Sequence, residues 1–175
     1  MVRQGNSLFK DLRVLSWFFL SLQLLGCTST INLEIAPPKN YVLEGNWHLL
    51  PMQSSKPPKP EVLRSRGFIL SMVVEDFPLI RTQRMEIEQS SDSIGIFYDK
   101  KMYRDVTWGV RSKGLWEVHA GWNEEGNLVI FSSAKDAKAK EVFQLNSTGS
   151  ELTITIEITA DSHNLSLTRK FRKMK

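Results

Sequence analysis

Beyond Arg81 the chain is cut by turn residues into eight short segments with alternating apolar positions, and no connection between them is long enough to hold a crossover helix. The segments run from Arg84 to Gln89, Ile94 to Tyr98, Met102 to Trp108, Leu115 to Trp122, Leu128 to Ser133, Glu141 to Asn146, Leu152 to Thr159 and Leu165 to Arg172. Strands joined so closely pair antiparallel. In this number they favour a closed or nearly closed barrel, because closure removes the edges a lone sheet would present to other chains. The clearest pattern sets Leu152, Ile154, Ile156 and Ile158 against Thr153, Thr155 and Glu157.

Ahead of this meander, Leu43 to Leu50 forms a ninth candidate strand, with Leu43, Gly45, Trp47 and Leu49 on one face. The run Lys56-Pro57-Pro58-Lys59-Pro60 cannot join a ladder and predicts an exposed loop. Pro60-Glu61 suits the first turn of a helix, and Pro78 stops it after Asp76. Val62, Leu63, Ile69, Leu70, Val73 and Phe77 recur along it at helical spacing, although Phe68 to Val74 also fits a buried strand. The expectation is a mainly β domain over 41–175: an antiparallel meander of eight or nine strands closing into a barrel, with one short helix between the first two strands.

Three residues carry a resemblance. Gly45-Asn46-Trp47 on the first strand and Arg169 on the last resemble the Gly-x-Trp and closing-strand arginine of lipocalin-like barrels. That resemblance implies that Arg169 packs across the Trp47 ring and seals one end. Alternation independently places Arg169 on the face of Leu165, Leu167 and Phe171.

The N-terminus reads as an export signal. Arg3, Lys10 and Arg13 precede an apolar run from Val14 to Leu25, which at 12 residues is too short to span a bilayer. Leu24-Leu25-Gly26-Cys27 resembles the lipobox of bacterial lipoproteins, which implies cleavage after 1–26 and lipid attachment at Cys27, the only cysteine of the chain. Two or three acyl chains, at ~0.8 kcal/mol per buried methylene, make such an anchor effectively permanent. Residues 27–40, with Pro37-Pro38, then read as an extended tether. Thr28 after the cysteine, where Asp is absent, resembles the signal that sorts such proteins to the outer membrane, facing the periplasm. Loss of Arg3, Lys10, Arg13 and Asp11 with the signal lowers the formal charge from +4 to +2, which removes the main support for a nucleic-acid partner.

Catalytic chemistry is sparse. His48, His119 and His163 lie far apart and lack the spacing of metal ligands. Ser132-Ser133-Ala134-Lys135 matches Ser-x-x-Lys but falls at a strand end without companion motifs, and reads as a turn. No nucleophile, base and orienter can be named together, so the expectation is a non-enzymatic protein without cofactor. What remains is the barrel interior. Trp116, Val118, Ala120 and Trp122 share one face, and Met102, Arg104, Val106 and Trp108 another. Inward Arg104 and Arg169 each require a ring, a carbonyl or an acidic ligand group against them. Trp47, Arg104, Trp116, Trp122 and Arg169 are therefore the candidate ligand-binding residues. An eight-stranded barrel of this size is either filled by its own side chains or holds one small ligand. The sequence points to a lipid-anchored envelope module that binds a small amphiphile or an envelope protein. The alternative is a protein inhibitor or assembly factor acting through its outer surface and loops.

Overall fold

A computed structural model describes residues 32–174. The expected signal peptide, 1–26, and the expected lipid-attachment residue, Cys27, lie outside the described residues. Ten strands form one antiparallel sheet: β1 (Gly45–Leu49), β2 (Arg84–Gln89), β3 (Ser93–Tyr98), β4 (Met102–Thr107), β5 (Gly109–Lys113), β6 (Trp116–Trp122), β7 (Leu128–Ala134), β8 (Ala137–Leu145), β9 (Glu151–Ala160) and β10 (His163–Lys173). Their order is β4-β3-β2-β1-β10-β9-β8-β7-β6-β5, so the first strand is the hinge that joins the early strands to the last one. Trp47 pairs with Met85 of β2 on one side and Lys173 of β10 on the other.

Three expectations need correction. The strand count is ten, because Gly109–Lys113, which the turn residues marked as a break, is a strand. Four of its five residues are exposed, so it carries no apolar alternation to betray it. The single helix is two, α1 (Pro60–Arg66) and α2 (Phe68–Glu75), divided at Gly67. Gly67 is extended (φ 164°), and its N–H ends the first helix on the Leu63 carbonyl at 3.1 Å. Leu63 from α1 and Leu70, Val73 and Val74 from α2 supply the buried face, and Phe68 and Met72 face outward. The β8 strand also starts earlier than its segment, at Ala137. Ala137 and Ala139 turn inward between Lys138 and Lys140, and methyl-sized side chains leave a weak hydrophobic signal.

Alternation otherwise sets the interior as the sequence implies. Leu152, Ile154, Ile156 and Ile158 of β9, Leu165, Leu167 and Phe171 of β10, and Phe143 of β8 are all buried. One end of the barrel is plugged from within the segment expected as a tether. Glu34 exchanges two backbone hydrogen bonds of 2.8 Å with Trp122 at the end of β6, and Leu33 is buried beside it. Gly121 permits this approach, since a Cβ there would stand 2.6 Å from the Glu34 carbonyl oxygen. Tyr41 crosses to donate to the Phe143 carbonyl and packs edge-on against Trp122, 4.5 Å between centroids. Trp108 meets the same indole at 5.7 Å.

Arg169 is inward and 2% exposed, and it is held by carbonyls. Its Nη1 donates to Ser55 O at 3.1 Å and its Nη2 to Thr82 O at 2.6 Å. Burial lowers its pKa from the ordinary arginine value, with Asp99 opposing the shift. Lys173 stands above the Trp47 ring, with Nζ 5.5 Å from the centroid. Ser54 and Ser55, at the start of the proline-rich loop, are tied to β10: Ser55 N donates to Thr168 O at 2.8 Å, and Lys170 N donates to Ser54 Oγ at 2.9 Å. Arg169 thus staples both ends of the β1 to β2 connection to the last strand.

Candidate functional site: a cavity at the open seam

Consecutive strands β4 and β5 stand at opposite ends of the sheet order and share no ladder. They diverge at Gly109, whose φ of +84° turns the chain away from β4. One cross-seam hydrogen bond connects them, from Lys113 Nζ to Asp105 O at 3.0 Å. A cavity of about 400 Å³ opens where this seam meets the end of α2. Phe77 and Pro78 roof it, Met102 and Tyr103 form one lip, Leu115 and Trp116 the other, and Val118 and Ser132 lie deeper. Trp116 is fixed by Nε1 donating to Asp76 Oδ2 at 3.1 Å, and its ring meets Phe77 edge-on at 5.5 Å. A second opening of about 250 Å³ follows the same seam and shares Arg104, Lys113 and Val118.

At the base sits a buried polar cluster from three walls. Arg104 of β4 donates from Nη1 to Glu141 Oε2 of β8 at 2.6 Å. The two strands are six places apart in the sheet order, so this ion pair spans the barrel. Glu141 is fully buried and the Arg104 side chain is 15% exposed. The guanidinium carbon also lies 5.7 Å from the Phe77 centroid. Burial works against the Arg104 charge, but Glu141 and then Tyr98 hold its pKa above the ordinary arginine value. Tyr98 of β3, 2% exposed, completes the cluster; its hydroxyl lies beside the Arg104 guanidinium without a well-aligned hydrogen bond, and Glu141 Oε1 has no partner. Burial pushes the Tyr98 phenol well above the ordinary tyrosine range, Arg104 acting against the rise and Glu141 with it.

Of the five residues singled out from the sequence, Arg104 and Trp116 line the cavity. Trp47 and Arg169 are packed around the β1 seam, and Trp122 belongs to the plug at the other end. The register assumed for β4 holds: Arg104 and Val106 face in, and Tyr103 is 53% exposed at the lip. The acidic partner that Arg104 requires is supplied by the chain itself, in Glu141. Glu141, Tyr98 and Phe77 were not recognised as site residues. A signal for Glu141 exists, because alternation with Ala137, Ala139 and Phe143 puts this one acid on an inward face.

Only the fold is addressed by comparison with known proteins. No family model matches the sequence, and no curated protein does. Among solved structures, a variant of the fluorescent protein UnaG aligns with a TM-score of 0.50 at 15% identity, covering 75% of this chain and 95% of that one. A secretory abundant heat soluble protein from Ramazzottius varieornatus aligns at 0.49 and 17% identity, covering 75% and 95%. The REP1-NXSQ fatty acid transporter aligns at 0.49 and 12% identity, covering 76% and 96%. The described domain is a nearly closed antiparallel β-barrel with two short helices between its first two strands, an architecture similar to that of UnaG.

Proposed function

We propose that this protein is a lipid-anchored binding module of the bacterial envelope that holds a small amphiphile at the open seam of its barrel. The observation that carries the reading is the cavity. Its volume of about 400 Å³ lies within the ~300–1,000 Å³ usual for ligand pockets. Phe77, Met102, Leu115, Trp116 and Val118 give it apolar walls, and Arg104 and Tyr98 give it a polar base. An apolar tail with a polar head matches that division. Trp47, Trp122 and Phe143 are fully buried elsewhere in the barrel, which favours a small ligand held at the α2 end.

The test uses the full chain carrying Cys27→Ser, so that no covalent lipid competes. Phenylnaphthylamine, an uncharged and largely apolar dye whose fluorescence rises in apolar surroundings, should bind with saturation at one site per chain. Val118→Trp, which fills the cavity, should reduce binding at least tenfold while the thermal transition stays cooperative. Saturable binding that Val118→Trp leaves unchanged would place the probe elsewhere and refute the reading.

Anchoring rests on the Leu24-Leu25-Gly26-Cys27 motif. Cys27→Ser should release the protein from the outer-membrane fraction or leave it as an unprocessed precursor. A processed serine variant that still fractionated with the outer membrane would show that lipidation is not the anchor.

A further inference from the structure

Arg104 is the group that a carboxylate-headed ligand would need, and the fold has already paired it. Its Nη1 lies 2.6 Å from Glu141 Oε2, and that carboxylate is fully buried. An anionic head arriving at this base meets a neutralised guanidinium together with a second carboxylate in a low-dielectric pocket. Like charges at such a distance disfavour each other strongly. The hydrogen-bonding capacity that remains is of another kind. Tyr98 lines the cavity, and its hydroxyl, close to the Arg104 guanidinium, makes no well-aligned hydrogen bond; Glu141 does not line the cavity, and its Oε1 stays buried beside Arg104. A buried polar atom left unsatisfied costs about 1–3 kcal/mol, so a ligand that satisfies one gains selectivity as well as affinity. A hydroxyl or amide head accepts from Tyr98 and brings a donor of its own. A carboxylate brings an acceptor only.

We infer that the cavity selects amphiphiles with uncharged hydroxyl- or amide-bearing heads over fatty acid anions, and that Glu141 sets this preference by neutralising Arg104. The inference rests on the amphiphile reading given above. Glu141 acts through Arg104 and is a positioning residue, so its signature is a change in selectivity rather than a loss of binding.

The experiment displaces phenylnaphthylamine from the full Cys27→Ser chain at pH 8 with monododecanoylglycerol and, separately, with dodecanoate. The unmutated site should bind the glycerol ester roughly tenfold or more tighter than the anion, the factor expected for one charged or unsatisfied hydrogen bond. Glu141→Gln retains the shape and an acceptor for Arg104 but frees its charge, and should move that ratio at least about tenfold towards dodecanoate. Tyr98→Phe should weaken the ester several-fold without improving dodecanoate. If Glu141→Gln fails to fold by circular dichroism, the unmutated ratio and Tyr98→Phe decide. Equal or better binding of dodecanoate to the unmutated site, or a ratio unmoved by Glu141→Gln, would overturn the inference and leave amphiphile binding standing. Failure of the dye and both lipids to bind would overturn both.

Discussion

Trp47→Ala lowers the stability of the folded domain by about 3–5 kcal/mol, the cost of truncating a large, fully buried aromatic side chain and leaving a cavity behind. The position justifies the upper part of that range. Trp47 lies on the strand that pairs with both β2 and β10, its Nε1 donates to the Leu43 carbonyl at 2.8 Å, and the Lys173 ammonium sits over its ring. Removal of the indole therefore opens a void at the seam where the sheet's two halves meet. It also leaves the buried Leu43 carbonyl short of a donor. Denaturant unfolding gives the check: the midpoint falls with an unchanged slope, as expected when stability changes and the extent of exposed surface does not. A midpoint shift worth less than about 1 kcal/mol would show that the β1 seam closes without Trp47.

Arg104→Ala costs a similar amount, about 3–5 kcal/mol, for a different reason. It strands the Glu141 carboxylate in the interior without its cation, and an uncompensated buried charge is far more costly than a missing contact. The companion experiment separates these two effects. Joint replacement by Arg104→Met and Glu141→Leu substitutes apolar groups of comparable length and restores most of the loss, whereas Glu141→Leu alone leaves the guanidinium unpaired and is again severely destabilising. Free energies of the unmutated protein, Arg104→Met, Glu141→Leu and the joint variant form a double-mutant cycle, and strong coupling is the expected result. Losses that simply add would contradict a bridge between β4 and β8.

Much of this architecture was legible in the chain because period-two alternation is written by burial. β9 is the example, with four inward aliphatic residues separated by polar ones on a strand half in water and half in the core. β5 shows the converse. It lies at an end of the sheet order, is largely exposed, and so has no buried face to leave a pattern. Leu33 and Glu34 were read as part of a tether for a related reason: their docking on β6 depends on a close backbone approach past Gly121, which no local sequence preference encodes.

The candidate site was legible in halves. Arg104 could be placed inward from its own strand, and Trp116 from its neighbours Val118 and Ala120. The partner of Arg104 could not be named, since Glu141 lies on a strand six places away and long-range pairing is set by closure of the barrel. Arg169 was legible in direction but not in partners. Its inward direction followed from alternation, but the loop carbonyls of Ser55 and Thr82 hold it, and the nearest cation over the Trp47 ring comes from Lys173.

The most direct test of an amphiphile site at the open seam is amide and methyl NMR of the full Cys27→Ser chain during titration with monododecanoylglycerol. The account predicts saturable shifts at Phe77, Met102, Leu115, Trp116 and Val118 around the cavity, with the buried Trp47 and Trp122, outside its lining, undisturbed. Shifts confined to residues away from the seam, or none at saturating lipid, would contradict it.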